Sequence, residues 1–123
     1  MIAVDSSSLV DYITGGTGPD LEALEMALSA GTVCLPPVVL TEVLSKATRA
    51  GDAAVFLRSL PLLPLTDGYW ERAGQLRASL IGAGKKAPLP DTLIAQSCID
   101  HDVPLITRDV DFKNYVRFGL KLV

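Results

Sequence analysis

The stretch PDTLIAQSCIDHDVPLITRDVDF, residues 90–112, decides how this chain folds. Asp91 after Pro90 reads as the start of a helix, since proline suits a first turn and aspartate can accept its free N–H groups. The far end of that helix feeds a short apolar strand, PLI at 104–106, through a tight turn. Just past the strand come Arg108, Asp109 and Asp111. Two carboxylates within three positions repel one another unless something positive lies between them.

Working outward, the strand–helix alternation extends along the whole chain. IAV (2–4), TVCL (32–35) and LLPL (62–65) read as further strands, and GLKLV (119–123) as a candidate fifth. Between them Leu21, Leu24 and Leu28 recur at helical spacing, as do Leu40, Val43, Leu44 and Ala47, and then Tyr69, Ala73, Leu76 and Leu80. Pro36 and Pro37 suit a helix start, and Gly31 and Gly51 suit helix stops. This order predicts a mostly parallel sheet with both faces covered, an α/β domain spanning residues 1–123. Two glycine-containing stretches fail as phosphate loops. GGTGP (15–19) has no lysine, and GAGKK (82–86) closes a helix and puts Lys86 where a hydroxyl should bind magnesium.

Composition narrows the classes. With 49% hydrophobic residues and a mean hydropathy of +0.35, the chain has either a dense core or an apolar face that a second subunit covers. No apolar run approaches the roughly 20 residues of a membrane span. The start, MIAVDSSS, lacks the basic opening and long apolar stretch of a signal peptide, so a cytoplasmic location is expected. Cys34 and Cys98, without CxxC spacing, read as buried free thiols. A net charge of −3 and pI near 5.0 argue against a broadly basic nucleic-acid binder, while leaving room for local basic patches or acids covered by metal.

Ligands of a parallel sheet gather beyond the carboxyl ends of its strands. Asp5 and Asp109 end two of the expected strands, Glu42 lies early in the helix after TVCL, and Asp91 begins a helix that runs back against its strand. Four acids from distant parts of the chain therefore meet on one edge. Each has a plainer explanation. Asp5 and Asp91 could cap helices, Glu42 could pair with Lys46 four residues on, and Asp109 could shape a turn. Together, those explanations leave the crowded charge uncompensated. A hard divalent cation relieves it, and the lack of paired His or Cys ligands argues against zinc.

The segments VDSSSLV, TEVL and PDTLIAQSCIDHDVPLITRDVDF, in that order, resemble the PIN-domain nucleases, most of all the VapC-type toxins of toxin–antitoxin systems. The resemblance covers the whole chain. It implies a three-layer α/β/α fold and an endoribonuclease dependent on one or two Mg²⁺ or Mn²⁺ ions, partnered by an antitoxin and homodimeric. It makes Asp5, Glu42, Asp91 and Asp109 the catalytic and metal-binding acids, with Asp111 a candidate further ligand. Thr107 takes the family's hydroxyl position before the last acid, and Ser6 or Ser7 the one after the first, with Ser7 preferred.

On this reading one Mg²⁺ moves the formal charge from −3 to −1, and a second moves it to +1. RNA would then meet Lys85, Lys86, Arg108, Lys113 and Arg117. Trp70 reads as core or interface and His101 as a surface residue. Two alternatives compete: a PIN-like module that binds RNA or protein without cutting, and a phosphoacceptor receiver. The receiver fares badly, because the first strand ends in a single aspartate and Arg108 stands where a lysine is needed.

Overall fold

The computed structural model describes residues 1–46 and 50–123. Its sheet has three strands, β1 (Ile2–Val4), β2 (Val33–Cys34) and β3 (Leu105–Ile106), in the order β2-β1-β3 and all parallel. Ala3 pairs with Cys34 on one side and with Leu105 on the other. The remaining two expected strands are single parallel bridges, Leu35 to Leu62 and Leu105 to Leu122, which extend the sheet at both edges. LLPL stays this short because Pro61 and Pro64 flank the bridge and offer no N–H to continue the ladder.

Among the described residues seven helical segments surround the sheet: α1 (Ser6–Ile13), α2 (Pro19–Ser29), α3 (Pro37–Lys46), α4 (Ala50–Ser59), α5 (Tyr69–Gly82), α6 (Leu89–His101) and a 3-10 helix (Val110–Phe118). From β1 through β2 to Leu62 the chain steps one way across the sheet. It then jumps back over β1 to β3 and continues to Leu122. Right-handed crossovers send the helices of the first run to one face and those of the second to the other. The packing largely follows this division: α1 meets α2 and α3, and α3 meets α4, whereas α5 meets α6 and α6 meets the 3-10 helix; α3 and α6 also meet one another. Neighbouring strands β1 and β3 therefore lie at the switch point, where the carboxyl ends open a crevice.

The core follows the expected periodicities except on α3. Leu21 and Leu24 on α2, and Tyr69, Ala73, Leu76 and Leu80 on α5, are buried as their spacing predicts. On α3 the buried residues are Val39 and Val43 while Leu44 is exposed, so the inward face is rotated from the one expected; Ala47 lies outside the described residues. Gly31, at φ +68, follows α2 as a stop should, but Gly51 lies within α4, where a helix tolerates glycine at a cost of about 1 kcal/mol. Trp70 is 63% exposed with its edge on buried Tyr69, so it is not a core residue. Cys34 and Cys98 are buried and free, and burial pushes both thiols up. No helix among the described residues is long and apolar enough to cross a membrane.

Candidate active site

β1 delivers Asp5 to the carboxyl edge of the sheet, where it is 3% exposed. Its Oδ1 accepts the backbone N–H of Ser8 at 2.9 Å and so caps α1. Its Oδ2 accepts the hydroxyls of Ser7 at 2.9 Å and Thr107 at 2.5 Å. Capping and a place in the site are therefore compatible, one oxygen serving each.

β3 delivers Thr107 and Asp109 beside it. Thr107 Oγ1, while donating to Asp5, accepts the Asp109 N–H at 3.0 Å. Asp109 Oδ1 accepts the Asp111 N–H at 2.9 Å and caps the 3-10 helix. The helix begins at Val110, so Asp109 and Asp111 do not share one extended segment. Asp111 is exposed and lies outside the lining of the cleft described next.

Glu42 comes from α3, which meets α6, the helix of Asp91. Glu42 Oε1 accepts the hydroxyl of buried Ser6 at 2.5 Å, and no Glu42–Lys46 ion pair is among those formed by the described residues. Asp91 occupies the first turn of α6, but the cap position belongs to Pro88 and no side chain caps the helix. The capping explanation fails for Asp91.

Asp5, Glu42, Asp91 and Asp109 line one cleft of about 190 Å³ together with Ser6, Ser7, Lys46 and Ile94. The ion pairs of the described residues involve none of the four acids. The strain falls on Asp91: burial, and then the charges of Asp109, Glu42, Asp5 and Asp111, raise its pKa to about 6. A larger groove of about 430 Å³ lies between α1 and α2, but only Glu22 and Glu25 are acidic in its lining.

Every polar donor the cleft offers to a cation is oxygen. Among the described residues no three acidic, His or Cys side chains stand as a ready-made metal cage. A small hard cation does not need one, since Mg²⁺ usually takes one or two carboxylates and keeps several waters. Crowded carboxylates that form no ion pair among the described residues, with no thiol or imidazole in the cleft lining, fit such an ion.

The basic residues sort differently. Lys85, Lys86, Lys113 and Arg117 are exposed. Arg108 is instead engaged within the chain, bound to Asp11, to Asp20 through Nε–Oδ2 at 2.8 Å and Nη2–Oδ1 at 3.1 Å, and to the Thr17 carbonyl at 3.2 Å. Burial works to raise the Asp20 pKa, yet the hydrogen bonds from Arg108 and Ser8 outweigh it and hold the carboxyl below its usual value. Arg108 thus clamps the glycine-rich turn. His101 lies away from the cleft, its Nε2 2.7 Å from the Pro64 carbonyl.

Sequence reasoning did not single out Lys46 as a cleft residue, or the bond between Tyr115 and Thr92 behind it. Its paired reading with Glu42 had placed Lys46 on a solvated face, and no local spacing signals the second contact, which spans 23 positions.

Among solved structures, a chain of VapBC2 from Rickettsia felis, determined bound to a DNA fragment from its promoter, superposes with a TM-score of 0.79. The match covers 100% of this chain and 98% of that one at 24% identity, a likeness of fold. No curated relative matches the sequence. Residues 2–117 match the PIN domain, and the chain belongs to the PIN domain family.

Proposed function

We propose that this protein is a divalent-metal-dependent endoribonuclease, the toxin of a toxin–antitoxin pair acting in the cytoplasm. One observation carries the reading: four carboxylates from separate elements line a single cleft, and among the described residues no basic side chain forms an ion pair with any of them. Asp5, Asp91 and Asp109 would hold Mg²⁺ or Mn²⁺, and Glu42 would hold a second ion or orient the attacking water. The bound ion supplies a water of lowered pKa and positive charge against the phosphoryl oxygens.

The chain's own residues prepare that chemistry. Ser7 and Thr107 hold Asp5 by the same oxygen, which fixes its orientation. Ser6 does likewise for Glu42. Lys46 on the cleft rim offers positive charge to an approaching phosphate. Exposed Lys85, Lys86, Lys113 and Arg117 provide further cations for an RNA strand. Full-length likeness to a chain of VapBC2 supports an antitoxin partner. Exposed Trp70, Ile81 and Leu89 support a homodimer by offering apolar surface to cover.

Incubating the purified chain with RNA and Mn²⁺ or Mg²⁺, beside an EDTA control, tests the activity. Cleavage that EDTA stops and Asp91→Asn lacks is the expected result. RNA bound but uncut in every metal tried would support a non-catalytic PIN module instead.

A further inference from the structure

A pair of buried hydroxyls lies behind the acidic cleft. Tyr115 on the 3-10 helix is 1% exposed and Thr92 on α6 is 0% exposed, and their oxygens stand 2.9 Å apart. Thr92 Oγ1 also lies 3.1 Å from the Pro88 carbonyl. A carbonyl can only accept, and threonine has one hydroxyl proton. Thr92 therefore donates to Pro88, and Tyr115 donates to Thr92. Both bonds run one way, from the 3-10 helix into the first turn of α6.

That turn has no side-chain cap of its own. It carries Asp91 next to Thr92, whereas Asp109 caps the helix that carries Tyr115. The hydroxyl pair thus ties together the two elements whose acids repel across the cleft. Packing alone does not account for it. The Tyr115 ring lies 5.8 Å from that of Phe112, a contact phenylalanine would make equally well, and a buried hydroxyl is costly unless it is bonded.

We propose that Tyr115 is a positioning residue: through Thr92 it holds the first turn of α6, and with it Asp91, at the separation from Asp109 that a divalent cation requires. This role rests on the metal-dependent reading above.

The test is Mn²⁺ binding by calorimetry to the full chain, paired with thermal unfolding without metal. Tyr115→Phe and Thr92→Val should each weaken Mn²⁺ binding about tenfold, the scale of losses seen when groups supporting metal ligands are removed. Thr92→Ser, which keeps the hydroxyl, should bind like wild type. The double variant Tyr115→Phe/Thr92→Val leaves no orphaned polar group, so its melting temperature should return toward wild type while Mn²⁺ binding stays weak. Recovery of both properties in the double variant, or undiminished binding in Tyr115→Phe, would overturn the role. Tyr115→Phe decides alone where Thr92→Val does not fold, since its ring still fills the core. A wild-type chain that takes up no Mn²⁺ sinks the metal reading itself. Uptake by wild type and Tyr115→Phe alike removes only the positioning role.

Discussion

Thr107 Oγ1 lies 2.5 Å from Asp5 Oδ2, across 102 positions of sequence, and the same oxygen accepts the N–H of Asp109. One hydroxyl therefore sets the spacing between two acids of the cleft. Thr107→Val should lower cleavage at least tenfold and cost about 1 kcal/mol of stability, the usual worth of such a bond. Thr107→Ser should retain most of both. Single-turnover cleavage and urea unfolding measure the pair, and full activity in Thr107→Val would refute the spacing role.

Asp91 should show opposite effects on activity and stability. Its carboxyl titrates near 6 in the fold against 3.8 as a free group, so the folded chain favours the protonated form. The stability this gives is fully present below pH 3.8 and is lost as pH rises through 6. At pH 7–8 the charged, half-buried group should cost the metal-free protein on the order of 1–2 kcal/mol, after allowance for solvent screening. Asp91→Asn should therefore raise the melting temperature at pH 8, make little difference at pH 4, and abolish cleavage. A melting temperature lowered equally at both pH values would contradict this.

Asp109 and Asp111 should differ sharply. Asp109 lines the cleft, whereas Asp111 is exposed on the 3-10 helix. Asn can keep the helix cap that Asp109 Oδ1 provides, so Asp109→Asn should fold and lose cleavage by a hundredfold or more, on the order of other metal-site deletions. Asp111→Asn should lose only a few-fold, and less as Mn²⁺ is raised. Cleavage across a metal titration separates them, and equal, metal-insensitive losses would show that the two acids act alike.

Two glycines give opposite expectations. Gly18 has φ +143, and a Cβ there would stand 2.8 Å from Asp20 Oδ1 and 3.4 Å from Arg108 Nη2. Gly18→Ala should cost about 1–3 kcal/mol by straining the backbone and disturbing the Arg108 clamp. Gly74, inside α5 with nothing within 4 Å, should instead gain about 0.5–1 kcal/mol as alanine. Denaturant unfolding of both variants checks the contrast.

What could be read before folding was whatever depends on period and on position relative to a strand end. Asp5 and Asp109 follow apolar runs directly, and Asp91 follows a proline, so their common edge comes from topology alone. The rotated face of α3 could not be read that way, because Leu40, Val43 and Leu44 fit a helical stripe as well as Val39 and Val43 do. Nor could the fate of Arg108, whose partners Asp11 and Asp20 lie 97 and 88 residues away. The edge strands shrink to single bridges for a local reason at Pro61 and Pro64, visible in the residues but outweighed by their apolar run.

The insertion of β3 beside β1 also has a consequence in time. A chain made from its N-terminus can bring β1 and β2 together early, yet Asp5 does not meet Thr107 until 102 further positions have been made. Parallel contacts this distant in sequence are slow to form, because the long intervening loop must close first. A nascent chain therefore carries a half-built cleft. Any activity that depends on the complete cleft would be withheld from the ribosome that synthesises it until β3 has emerged.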